Sequence, residues 1–546
     1  MKARPPIGAS RSRIAGLAVL VTLAVAAGGF LTASGFLAAR PTPEGRASSG
    51  GGVAPAVTTT PSGSAGSAAA IEGSPTPHPT RGPSVALVPI VGFWSSQRAT
   101  TSAALADAIS GRDPAVLSVV VEAGELAPLA ARLQVTPAPH VATGTAAEVR
   151  AAVRGHPGVL GILRAEDVTP DVRALSVDGT SLFGVGRARD IAAWPLLVEG
   201  ATGAPAAFDP ARTWTLVAGG DVMLDREVYR QAVTLGKGAD WPWDGGTARV
   251  VGHVCCDDFG GLLPVAERTG NAGALRALFE DADLAMVNLE GPAPDTFAYH
   301  PSGYVFTMDP ALLAGLAHAG IDAVSLANNH IAKAGAAGVA QTIGHLDALG
   351  IRHAGAGSDV AAARAPAWLT AGGRRIAVLA YDATGLGVTA TASRAGSAAL
   401  VASQAVADIA AARQAGADLV AVWVHWGIEY TAAVTAQQRS LARALAGAGA
   451  DLVLGGHGHW SGPLETIGSS LVLYDLGDLV FDLVHTVQTE EALVAELTFE
   501  GTRLVQIDLR PTLSLDRSQP NLLDPAGDGA AVLGQVRRAS QGMLGW

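Results

Sequence analysis

Leu419-Val420-Ala421-Val422-Trp423-Val424-His425-Trp426-Gly427 and Leu452-Val453-Leu454-Gly455-Gly456-His457-Gly458-His459 decide how the chain is read. Each is an apolar run that stops at turn-prone residues. Runs of this kind are strands buried on both faces, as parallel strands are when helices cover them. An α/β sheet builds its site at the carboxyl ends of such strands, and imidazole is the commonest metal-binding side chain. Three histidines at two strand ends therefore predict a metal site assembled on the edge of a sheet.

The same grammar repeats elsewhere in the chain. Thr213 to Ala218 runs into Gly219-Gly220-Asp221, and Ala282 to Val287 into Asn288-Leu289-Glu290. Asp322 to Leu326 runs into Ala327-Asn328-Asn329-His330. Alone, Asp221 would be a turn residue, Glu290 a surface acid and His425 an interior histidine. Together, Asp221, Glu290, Asn329, His425, His457 and His459 form a carboxylate–amide–imidazole set, which without thiolate suits Mn, Zn or Fe, as one ion or two. Glu290 is the expected bridge. His330 is the expected proton donor, and Arg226 a clamp for phosphate or carboxylate. Helices are expected over 312–318, 336–349, 404–414 and from Thr435, a suitable N-cap, to Leu445. The segment Gly236 to Gly273 is long for a loop and holds both cysteines, Cys255 and Cys256, to which no role is given. Leu493–Phe499 and Leu504–Leu509 flank Glu500-Gly501 as a β-hairpin, and the stretch from Pro511 is expected to be irregular.

With 546 residues the chain exceeds one ordinary core. It is 49% hydrophobic and 16% charged, with a net charge of -11. That balance argues against nucleic acid as a partner, but not against an anionic substrate, because a metal ion inverts the local field. Arg4, Arg11 and Arg13 precede an uncharged apolar stretch from Ile14 to Ala39. A membrane anchor over 1–40 is expected, with a cleaved signal peptide as the alternative, and the remainder of the chain is expected to be exported. Residues 41–82, rich in Pro, Ser, Thr and Gly, are expected to form a disordered linker. Residues 83–200 alternate strands and helices as a small α/β domain, whose layout resembles half of a periplasmic solute-binding protein.

The order Gly-Asp, Asn-Leu-Glu, Asn-Asn-His, His-Trp-Gly-x-Glu-Tyr, Gly-x-His-x-His and Tyr-x-Leu-Gly resembles the CapA family of poly-γ-glutamate capsule biosynthesis proteins. These in turn are similar to calcineurin-like metallophosphoesterases. The resemblance spans about 214–509 and implies a four-layer metallophosphatase-like α/β sandwich over 210–510, with 511–546 as an extension. It places the family's motif positions on Asp221, Arg226, Asn288, Glu290, Asn329, His330, His425, Glu429, His457, His459 and Glu465, Glu429 being grouped with His330 and Arg226 as catalytic. It also implies an anionic polymer, or a phosphorylated or carboxylated substrate, and a capsule-synthesis membrane complex as partners. The chain departs from the phosphoesterase pattern at Met223, where a histidine is expected, and at Glu290, where an aspartate is. Gly458 replaces the usual Pro, and Asp478 a frequent Asn. A metal-dependent phosphoesterase and a non-enzymatic polymer-binding or export component with a vestigial site are the alternatives.

Overall fold

Three sheets, each built from apolar runs of this kind, carry the structure, a computed structural model that describes residues 84–199 and 208–546. The expected anchor (1–40) and linker (41–82) lie outside the described residues. Among the described residues no helix is long and apolar enough to cross a membrane.

The first large sheet has strand Thr213–Val222 at its centre. Strands Leu284–Leu289, Ala323–Ser325 and Arg352–Ala354 follow in parallel on one side, and the hairpin Glu491–Glu500/Arg503–Leu515 pairs antiparallel on the other. Strand Asp478–Val480 pairs in parallel beside the end of Thr213–Val222. The second sheet sets Arg374–Asp382, Leu419–His425, Leu452–Gly456 and Ser470–Leu473 in parallel.

The sheets face each other. Trp214, Leu216, Met286 and Phe499 from the first share one core with Val378, Ala421, Trp423 and Leu454 from the second. On the first sheet's outer face, Val217, Val287 and Val324 pack against helices Ala274–Glu280, Leu313–His318 and Gly335–Leu349. On the second sheet's outer face, Val420, Val422 and Val453 meet helices Ala402–Gln414 and Ala436–Gly447. The order is helices, sheet, sheet, helices. Every residue of Thr213–Val222 and Leu419–His425 is buried, which is why these strands read as unbroken apolar runs rather than alternating ones.

Two expectations change. The segment 236–273 is not a plain loop, because it carries the hairpin Thr247–Cys255/Leu262–Gly270 at the sheet's edge, with Cys255 and Cys256 disulfide-bonded to each other near its tip. The stretch from Pro511 is regular. The strand continues to Leu515, Gln519–Leu523 pairs with it, and helix Gly529–Ala539 follows.

Residues 84–199 form a third, six-stranded sheet with helices Ser102–Ser110, Leu126–Leu133 and Ala146–Val153 and a core of its own. Polar contacts dock it on the hairpin of the first sheet. Arg173 and Arg98 pair with Asp508, the Ala174 N–H donates to Gln506 at 3.1 Å, and the Gly184 N–H to Thr498 at 2.8 Å.

Candidate metal centre

The parallel strands of both sheets end on the same side, and their last residues converge. Asp221 lies opposite Asn288 on one neighbouring strand and Asp478 on the other, while His425 lies opposite Gly456. Glycine permits the approach: a Cβ on Gly220 would stand 1.8 Å from the Gly477 carbonyl, and one on Gly456 2.5 Å from Asp221 Oδ1.

Asp221, Glu290, Asp478, His425, His457 and His459 are all buried. Two groups have ligand atoms within 4.8 Å of one another: Asp221 with Glu290 and His425, and Asp221 with His459 and Asp478. Asp221 belongs to both. Asn329 Oδ1 lies 3.1 Å from His425 Nε2, and the His425 and His457 rings are 4.8 Å apart.

The residues fit a divalent cation. Both oxygens of Glu290, Nδ1 of His330, His425 and His457, and Oδ2 of Asp478 are buried without a hydrogen-bond partner. Buried polar atoms in folded proteins are almost always paired, so this concentration at one point calls for something to bind. Glu290 Oε1 stands 3.6 Å from His425 Nε2 and 3.8 Å from His330 Nε2. That is too long for hydrogen bonds, but similar to the spacing of about 3–4 Å between ligands that share one ion at about 2.0–2.2 Å.

Electrostatics agree. Burial, then Glu290, pushes Asp221 up to about 6, and burial pushes Asp478 up to about 7 against the pull of His459. Burial opposes ionisation of Glu290 too, but His425 and His459 outweigh it and hold this carboxyl below its usual range. Burial would lower His425 and His459, yet Glu290 and Asp478 respectively override it and raise them to about 9 and 10. Three carboxylates thus draw positive charge inward, a demand that a divalent ion meets. His330 and His457 are pushed down to about 3 and 2 by burial and neighbouring histidines, which keeps them neutral with a lone pair available.

Around these side chains lies a fixed frame. The Asn288 amide donates to Asp221 Oδ1 at 2.8 Å, and the Asn328 amide to Asn288 at 3.2 Å. The His457 N–H donates to Asp221 Oδ2 at 2.9 Å. His459 Nδ1 bonds Asp478 at 2.8 Å, the carboxylate–imidazole pairing that orients metal-binding histidines. His330 stacks on Phe306 at 4.1 Å, and the Arg226 guanidinium lies over the same ring at 4.7 Å. Met223 packs with Phe306 and Phe481 in the wall.

Not every residue singled out from sequence joins the cluster. Arg226 stands at the rim, where it pairs with Asp482 and donates to the Gly303 carbonyl. Glu429 is exposed on the turn after His425. Glu465 accepts from the Tyr474 hydroxyl at 2.5 Å, and the Tyr474 carbonyl accepts from the Trp426 indole, so it supports the neighbouring turn. Asp478, which the sequence marked only as a departure, is brought to the centre. It stands four residues past the apolar run Leu471 to Tyr474, in a stretch that reads as a turn.

Fold and site thus define a mixed α/β protein with a strand-end centre of carboxylates and imidazoles suited to divalent metal. Residues 215–483 match the family described as bacterial capsule synthesis protein PGA_cap, in line with the resemblance its motifs carry. The chain is 32% identical over 232 residues to the capsule biosynthesis protein CapA of Bacillus anthracis, covering 41% of this chain and 56% of that protein. It is 34% identical over 170 residues to the PGA biosynthesis protein CapA of Bacillus subtilis, covering 31% and 44%. A probable polyglutamine synthesis accessory protein of Mycobacterium tuberculosis is 32% identical over 243 residues, covering 40% and 61%. The chain therefore spans about half the length of these relatives. Among solved structures, a 5'-nucleotidase precursor of Thermus thermophilus aligns with a TM-score of 0.34 at 14% identity, over 60% of this chain and 58% of that one. An NAD nucleotidase of Haemophilus influenzae aligns with a TM-score of 0.32 at 11% identity, over 61% and 63%.

Proposed function

We propose that the protein is an exported, membrane-anchored component of poly-γ-glutamate synthesis or processing, or of a like anionic surface polymer, working within a capsule-synthesis membrane complex. Its centre holds one or two divalent ions, Mn, Zn or Fe, within a metallophosphatase-like sandwich, and hydrolyses or transfers the polymer. The observation that carries this reading is the Glu290 carboxylate. It is buried, kept ionised and left without a hydrogen-bond partner where strand ends of both sheets converge.

When bound there, a divalent ion supplies a water of lowered pKa and positive charge against a developing oxyanion. Asp221, Glu290, Asn329, His425, His457, His459 and Asp478 would hold it. His330 remains neutral at pH 7 and is fixed by its stack on Phe306. Its ring N–H is thus a hydrogen-bond donor to a leaving group or developing anion. Arg226, over the same ring, attracts the anionic chain toward the mouth, while its pairing with Asp482 keeps it a guide and not a ligand.

The test is complementation in the source organism. Disruption of the gene is expected to remove surface poly-γ-glutamate, and the wild-type gene to restore it. Glu290→Ala is expected to leave less than a tenth of the polymer. Normal polymer from Glu290→Ala would mean that the centre is not used.

A further inference from the structure

A cavity of about 820 Å³ lies away from the strand ends, in the small domain. It opens where strand Ser84–Gly92 ends, between helix Ser102–Ser110, the turn after helix Ala146–Val153 and the last residues of the chain. None of the metal-centre residues lines it. Its volume falls in the range of about 300–1,000 Å³ typical of small-molecule sites.

The walls are built. Val91, Leu105, Ala108, Val153 and Leu160 form a buried apolar floor. Phe93, Trp94 and Trp546 supply three rings, with Phe93 4.8 Å from Trp94 and 6.1 Å from Trp546, both edge to face. The final segment is pinned and not frayed. The Ser540 hydroxyl accepts from the Leu464 N–H at 2.9 Å, the Met543 carbonyl from the Thr466 N–H at 3.1 Å, and Thr466 Oγ1 from the Gly545 N–H at 2.7 Å.

The polar groups are unbalanced. The two acids are already occupied: Asp171 by Arg154 at 2.9 Å and by the Thr169 hydroxyl, and Asp113 by the Ala115 N–H at 2.9 Å. The donors are not. The Trp546 indole N–H is buried without a partner. Among the described residues the Arg537 guanidinium and the His156 ring have no side-chain hydrogen bond or ion pair. A site with an aromatic wall, an aliphatic floor and a surplus of donors at the rim fits a ligand with a flat apolar body and an anionic acceptor. An unmet buried donor contributes to affinity once a ligand satisfies it.

We propose that this cavity binds a small carboxylate with an aromatic body, its ring among Phe93, Trp94 and Trp546 and its carboxylate taken by Arg537 and the Trp546 indole N–H. The site is separate from the metal centre and does not depend on its function.

Calorimetric titration of the purified full chain with 4-phenylbutyrate tests this, with 4-phenylbutyramide as the uncharged counterpart. The acid is expected to bind saturably, one per chain, with a Kd on the order of 0.1 mM for a ligand of this size. The amide is expected to bind about tenfold more weakly, as is the acid to Arg537→Ala, for the loss of one charge-assisted hydrogen bond. Ala104→Trp places a large ring into the cavity from an exposed helical position and is expected to abolish binding with an unchanged circular dichroism spectrum. Arg537 is itself exposed, so its variant decides the matter if Ala104→Trp fails to fold. No saturable binding by the wild type, equal binding of acid and amide, or wild-type binding by Arg537→Ala would each overturn the assignment.

Discussion

His457 and His459 carry φ values of 93° and 59°, a left-handed backbone that non-glycine residues adopt at a cost of order 1–3 kcal/mol each. Three contacts hold them there: the His457 N–H on Asp221, the Gly458 N–H on Asp475 at 2.7 Å, and His459 on Asp478. A proline at 458 could not make the second bond, since it has no N–H. The strain aims two imidazoles inward, and it is offset by bonds to groups that are themselves part of the centre or beside it. Met223 defines the thin side of that centre, between Phe306 and Phe481. Met223→His is expected to increase bound Mn per chain after dialysis by up to about one equivalent, measured by plasma mass spectrometry, while Met223→Leu leaves it unchanged. Equal retention by both variants would show that position 223 does not face the ions. The six candidate ligands were legible in the sequence because each follows an apolar run. Asp478 was not, since Asp475-Leu476-Gly477-Asp478 reads as a turn. Its place in the cluster comes from pairing beside Asp221, a contact between residues far apart in the chain.

Among the elements, the helix behind His425 ties local sequence to the site. Thr435 accepts from the Gln438 N–H at 3.1 Å while the Gln438 side chain accepts from the Thr435 N–H at 2.9 Å, a reciprocal cap. Gln438 also packs under Gly427, where a Cβ would stand 2.6 Å from its amide. Thr435→Ala is expected to cost about 1 kcal/mol of stability in urea melts. A loss below measurement would show the cap to be redundant with tertiary packing. The cap, the turn of the 493–509 hairpin and most helix bounds were legible within a residue or two, because cap, turn and period-3.6 signals are local. The Thr247–Cys255/Leu262–Gly270 hairpin was not. Its strand pairing to the rest of the sheet is short, at Thr247 and Ala248, and Val251, Val254, Leu262 and Val265 on it are exposed, so little buried face stamps an apolar alternation on it. Pro511 misled in the same region, since proline inside a run argues against a strand. Here it pairs with Leu493 and the strand continues.

Across the molecule, the join between the small domain and the sandwich combines apolar contact, with Phe93 in the sandwich core and Val505 in the small domain's, with a charge cluster that was invisible in the sequence because its partners lie hundreds of residues apart. Asp508 is the hub. Burial alone would raise its carboxyl, but Arg510, Arg173 and Arg98 override this and hold it down at about 2. An unfolded aspartate titrates near about 3.9. Because the folded value is the lower one, the stabilisation is complete above about pH 4 and is lost as pH falls from there through 2. Asp508→Asn leaves buried guanidiniums without their counter-charge and is expected to cost about 3 kcal/mol at pH 7. In urea melts the gap from wild type should close as pH falls from about 4 toward 2. A gap that stays constant with pH would assign the cost to packing instead of charge.

Metal content is the decisive readout for a divalent-metal centre focused on Glu290 at the strand ends. Full-length protein loaded with Mn and dialysed should retain about one to two equivalents by plasma mass spectrometry. Glu290→Ala and His425→Ala should retain less than about a tenth of that, and Glu429→Ala, altered on the exposed turn, should match the wild type. Wild-type Mn content in Glu290→Ala would contradict the assignment of this centre.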